Sequence, residues 1–213
     1  MSPVATDAAS PVADKLAALA KAKDGLAAKG LSDELSLAVK RSHISTLSSN
    51  GVLDTLERWA NSKTAVEREI APVAFGRLIV NLGVGSEPVF IPALPSLFNL
   101  LNDKTQAVRS SAQSAINSFI KICPPEATRQ VMAVFRDALE NAKGWRGQIG
   151  ALKAMEGLIK ENSIEYVALE LGATIPLVEH AMHDTKGEVS TMQSFLPPLH
   201  RVSPRRLVQP KFP

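Results

Sequence analysis

The chain has little of what stapled, membrane-spanning or β-rich proteins need. Of its 213 residues only Cys123 is a cysteine, so no intrachain disulfide can form and a disulfide scaffold is excluded. Aromatic residues make up 5% of the chain, with a single tyrosine. That scarcity argues against an all-β sandwich. No run of 18 apolar residues occurs, which leaves no candidate membrane span. The first 30 residues lack the unbroken apolar stretch of a signal peptide, and no Asn-x-Ser/Thr sequon is present. The chain therefore reads as intracellular and soluble, with a cytoplasmic location expected.

What is present is alanine, at 28 positions, within a chain that is 45% hydrophobic and 21% charged. This is the composition of packed helices rather than of a disordered polymer. Formal net charge is +3. Four basic residues and no acid fall between Thr191 and Pro213, so the remainder is close to neutral. The high pI of about 9.1 is thus a property of a short tail and gives no ground for a nucleic-acid-binding core.

Three regions are expected. Residues 1–30 read as a mobile, Ala-rich N-terminus, in which Asp14 to Lys29 could form a helix that is marginal in isolation because few large apolar groups are available for packing. Residues 31–190 read as amphipathic helices separated by short breaks, with Ser32 as the first cap. Residues 191–213, rich in Pro and Arg, read as a disordered tail.

The central region repeats. Asn61-Ser62-Lys63-Thr64-Ala65-Val66 resembles Asn102-Asp103-Lys104-Thr105-Gln106-Ala107-Val108, with one residue of slippage. Pro95, Asp103 and Val108 recur as Pro176, Asp184 and Val189, with Trp145 to Ile149 between them. The apolar positions Val66, Val108, Ile149 and Val189 then lie 42, 41 and 40 residues apart and should share one buried site. A period near 40 built from two helices predicts an all-α, HEAT/armadillo-like solenoid of about four hairpins. In this reading a Pro opens the first helix of a hairpin, and an Asp in the turn caps the second. Asp103 and Arg109 would form either a ladder between repeats or a solvated surface pair. The fourth hairpin breaks off at Pro197-Pro198, so its outer face should stay open and favour self-association. That ending also suggests a piece of a longer protein, or a product altered by splicing or gene prediction.

No catalytic constellation stands out. His180-x-x-His183-Asp184 lacks a third ligand and reads as surface histidines. Gly83-Val84-Gly85 reads as a connector, and Gly144, Gly147 and Gly150 lack the Lys-Ser/Thr end of a phosphate loop. Cys123 reads as a small core residue. Trp145 reads first as an anchor at a seam between repeats. Lys143, Trp145 and Arg146 together are the candidate contact for a ribosomal or other partner.

Four stretches carry a family resemblance. They are Pro88 to Pro95, Pro124 to Arg129, Lys143 to Arg146, and Ala181 to Ser190, the last being the most specific. Over about Leu31 to Ser190 the chain resembles the N-terminal HEAT domain of fungal translation elongation factor 3. Related HEAT units occur in a ribosome-associated activator of a stress kinase and in tubulin-binding arrays. The resemblance implies docking on ribosomal RNA and ribosomal proteins. In the family, ATP-binding cassettes that follow the repeats drive release of tRNA from the exit site. This chain has no G-x-x-x-x-G-K-[ST] motif and no cassette signature, so it should need no cofactor and have no catalysis of its own, with ATP belonging to the full-length family. The alternative is a stand-alone HEAT scaffold for protein–protein interaction.

Overall fold

The computed structural model describes residues 10–142 and 144–182. Among these residues every regular element is helical and there is no strand. The helices are α1 (Pro11–Leu19), α2 (Gly25–Ser42), α3 (Thr46–Ser49), α4 (Val52–Ala60), α5 (Ala65–Leu82), α6 (Glu87–Phe90), α7 (Leu94–Leu100), α8 (Gln106–Ile122), α9 (Thr128–Glu140), α10 (Trp145–Glu161) and α11 (Ile164–Met182).

They stack in two layers. The first helix of each hairpin forms one layer, in the order α1, α4, α7, α9, α11. The longer second helices α2, α5, α8 and α10 form the other, each packed on the next. The pattern of the first-layer helices explains their seating. In α9, Val131, Met132, Phe135 and Leu139 are buried at helical spacing. Phe98 of α7 meets Phe135 of α9 edge to face, with centroids 5.3 Å apart. Helix α5 is buried on several sides through Ile70, Ala71, Ala74, Phe75, Leu78 and Ile79, because α2, α4 and α8 all pack on it.

Order starts earlier than the sequence suggests. Residues 1–30 are not a mobile arm throughout, since α1 packs on α2 with Val12, Leu19 and Ala28 fully buried. Val12, Leu16 and Leu19 form one stripe, and the small Ala28 and Ser32 opposite let the helices approach closely. Ser32 is not a cap. It lies within α2 and donates its hydroxyl to Ala28 O at 2.6 Å. The cap is Asp24, whose Oδ1 accepts from the Ala27 N–H at 2.7 Å.

The four proposed equivalent positions also need correction. Val108 is fully buried and Ile149 is half-buried against the core, but Val66 is 43% exposed. Thr64 and Thr105 occupy the same position before α5 and α8, so the two hairpins align without a gap at 41 residues. Val66 then matches Ala107, and both are exposed. Val189 and the proposed tail lie outside the described residues.

Pro95 enters at the second residue of α7 as expected, but Pro176 is interior to α11. The i−4 residue of Pro176 is the exposed Gly172, whose carbonyl can take water in place of the missing N–H. On the outer side of α11, Leu169 is 81% exposed and Tyr166 40%.

Val108→Asp should lower stability by about 3 kcal/mol or more, because it buries an unpaired charge. Val66→Asp should change it by no more than about 0.5 kcal/mol, since an exposed acid suits a helix N-terminus. Denaturant titrations of the two variants test the 41-residue alignment.

Candidate interaction surface

The turns between paired helices lie together along one edge of the stack. In the first, Ser62 Oγ accepts from the Thr64 N–H at 3.1 Å. In the second, Asp103 Oδ1 accepts from the Thr105 N–H at 2.8 Å. Different residues thus close the same turn. An arginine then ties each turn to its helix. Arg68 Nη1 donates to Ser62 O (3.0 Å) and Lys63 O (2.8 Å). Arg109 Nη1 donates to Asp103 O (2.7 Å) and Lys104 O (2.9 Å). With these carbonyls bound inward, Lys63 and Lys104 are left exposed at the edge.

A ladder between repeats exists, but Arg109 is not the partner of Asp103. Arg68 of the preceding hairpin is, with Nε 2.6 Å from Asp103 Oδ2. The Asp103 side chain is only 8% exposed. Partial burial pushes its carboxyl up, but hydrogen bonds from Arg68 and the Thr105 N–H outweigh this and hold it below the usual carboxylate value. Gly144 stands 41 residues after Asp103, so no acid meets Arg109 at the next rung. Arg109 donates instead to Gln106 Oε1.

Glycines build the third turn's seam. The Gly147 N–H donates to Asn102 Oδ1 at 3.1 Å, so one hairpin caps the next. A Cβ at Gly150 would fall 2.1 Å from Leu101 Cδ1, and one at Gly147 2.6 Å from Asn102 Nδ2. The glycine triplet therefore permits close helix packing. Trp145 is half-buried against the core, and the Arg146 guanidinium lies over its ring, 4.5 Å from the centroid. Arg146 itself is exposed. Lys143 lies outside the described residues.

The family model of the EF3 N-terminal HEAT repeat matches residues 28–192. The chain belongs to this family. It is 35% identical over 148 residues to the mRNA export factor elf1 of Schizosaccharomyces pombe, covering 68% of this chain and 14% of that protein. It is 29% identical over 192 residues to elongation factor 3 of Gonapodya prolifera, covering 86% of this chain and 18% of that protein. The chain thus spans less than a fifth of either relative. A designed armadillo repeat protein superposes with a TM-score of 0.47 at 21% identity, over 84% of this chain and 77% of that one.

Two of the other candidates in this EF3-type HEAT chain have structural roles. Gly83 (φ 74°) and Gly85 (φ 92°) form the connector after α5, where a left-handed backbone favours glycine. Cys123 is buried, and desolvation, helped by nearby Glu87, pushes its thiol up to about 11, unlike a nucleophile. His180 is exposed, while His183 and Asp184 lie outside the described residues. Among the described residues no group of three metal-ligating side chains comes together, and no helix is long and apolar enough to cross a membrane.

Arg68→Leu should cost about 2 kcal/mol, because it leaves the Asp103 carboxylate largely buried without its partner. The contribution of the depressed Asp103 carboxyl is present above its unfolded value near pH 4 and fades as pH falls through the lower folded value. Asp103→Asn should therefore lose less stability than the parent between pH 6 and pH 3, measured by thermal melts.

Proposed function

We propose that this chain is the ribosome-docking repeat segment of an elongation factor 3-like protein and is non-catalytic in itself. The family match over residues 28–192 carries the reading. The exposed Lys63, Lys104 and Arg146 along one edge supply suitable chemistry, since cations spaced by a repeat can follow a phosphate backbone. Lys143 by sequence and the stacked Trp145 belong to the same proposed contact with ribosomal RNA and ribosomal proteins. Cytoplasmic location and a part in elongation follow from this reading. ATP binding and hydrolysis belong to cassette domains, whose P-loop motif this chain does not contain.

The S. pombe relative supports a second reading, a HEAT scaffold serving messenger RNA export. The two separate in one assay. On the first reading the chain co-sediments with purified ribosomes, binding weakens with salt, and Lys104→Glu with Arg146→Glu weakens it about tenfold. Absence of co-sedimentation at low salt would rule that reading out. The chain should show no saturable ATP binding by calorimetry.

A further inference from the structure

Counted back from the start of each second helix, the three turns of the edge align as Asn61-Ser62-Lys63-Thr64, Asn102-Asp103-Lys104-Thr105 and Asn141-Ala142-Lys143-Gly144. They lead into α5, α8 and α10. The acid of the second turn has no counterpart in the third, where its place falls to Ala142. The fourth residue of each helix is Arg68, Arg109 and Gln148 in turn.

Arg68 and Arg109 are anchored alike. Each donates Nη1 to two carbonyls of its own turn, Ser62 and Lys63 or Asp103 and Lys104. This sets the direction of the guanidinium. The rest of Arg68 crosses to the next turn, where Nε and Nη2 meet the two oxygens of Asp103 at 2.6 and 3.5 Å. Arg109 has the same anchor, but Ala142 stands where the carboxylate would be. Arg109 makes no ion pair among the described residues. Its Nη2 turns to Gln106 of its own helix, and its Nε meets no acceptor among the described residues. The side chain is half-buried, so these donors remain within reach from outside. The second and third turns touch, through Asn102 and the Gly147 N–H, and the exposed Arg146 beside Gly147 adds a second cation.

Charge at this edge can be followed residue by residue. Within 61–68, 102–109 and 141–148 the acids are Glu67 and Asp103, and both are engaged. Glu67 accepts from the Ser62 hydroxyl, and Asp103 holds Arg68. Lys63, Lys104, Arg109 and Arg146 make no ion pair among the described residues, and neither does Glu140 at the end of α9. Cations therefore recur at each turn, which suits a backbone that carries one charge per unit. A guanidinium with open donors suits phosphate oxygens. We propose that Arg109 is a phosphate-binding rung, where an RNA phosphodiester takes the place of the carboxylate missing at Ala142, with Arg146 beside it. This deepens the docking reading of the same edge and rests on its RNA contact.

The test titrates a dye-labelled RNA of about 12 uridines with the full chain by fluorescence anisotropy at several salt concentrations, with ribosome co-sedimentation in parallel. Arg109→Gln installs the residue that α10 carries at that place, and Ala142→Asp supplies the missing acid. Each should weaken RNA binding about tenfold, and Arg109→Gln should reduce the slope of log affinity against log salt by about one. Because Ala142→Asp acts by occupying Arg109, the double variant should bind about as weakly as either single one. Ala142→Asp should also raise the melting temperature, a rise that Arg109→Gln removes. Leu169→Asp on the exposed side of α11 should leave RNA binding unchanged. Thermal melts verify that each variant stays folded.

Unchanged RNA affinity in Arg109→Gln or Ala142→Asp would overturn the proposal. So would a loss of about a hundredfold in the double variant, which would mean simple charge repulsion. Displacement of the RNA by about 10 mM inorganic phosphate at constant ionic strength would make the gap a site for free phosphate instead. Ribosome binding that both substitutions weaken, with no binding of the RNA, would assign the gap to a protein carboxylate and also sink the idea. A chain that binds the RNA through Arg109 but does not co-sediment with ribosomes would remove the docking reading and leave the phosphate rung standing.

Discussion

The long second helices can stack side by side only where small residues line their seams. Ser36 on α2, Ala71, Ala74 and Gly76 on α5, Ala112 and Ala115 on α8, and Gly147, Gly150 and Ala151 on α10 keep the backbones close. This closeness lets larger groups such as Phe75, Phe119 and Leu158 fill the space between the two layers. A bulky side chain at Gly150 would meet Leu101 at once, so the seam composition sets the arrangement of everything attached to it. Alanine abundance, the plainest compositional fact about the chain, is therefore a packing requirement of the stack as well as a helix preference.

Much of this was legible from residue order alone. The 41-residue recurrence of Asn, Lys and Thr gave the hairpin, and the hairpin gave the solenoid. Valine is a poor guide to the register. Matching Val66 with Val108 needs a one-residue slip and puts the exposed Val66 among buried positions, while Arg68 and Arg109 lie in ungapped register. Pairing across repeats was harder to see, because a salt bridge such as Arg68–Asp103 joins residues 35 apart with no pattern between them. The N-terminal helix is legible only as a marginal one, within Asp14 to Lys29, for a related reason. Its own apolar stripe is short, and its stability comes from the small residues it meets on α2.

The family assignment and the geometry address different questions. Membership in the EF3 N-terminal HEAT family explains the repeat and its length. The layers differ in helix composition, with ten basic and six acidic residues in the second-layer helices against four basic and eight acidic in the first. The exposed turns form a surface of their own along the edge of the stack. An extended helical repeat can thus meet several partners without any pocket for chemistry.

The turn residue before each ladder position has a further meaning. Asn61 donates its side chain back to Glu57 O within its own hairpin, at 2.9 Å, whereas Asn102 reaches forward to the Gly147 N–H of the next. The same residue type at the same place faces its own past in one repeat and its neighbour in the other. The hairpins are consequently not interchangeable bricks. Moving the second to the first position would leave Asn102 against α8's own fold-mates instead of a glycine-opened helix end, and the seam would have to be rebuilt with it. Order along this stack is written into its joints, so the chain can grow or shrink by whole repeats only where both sides of a joint change together.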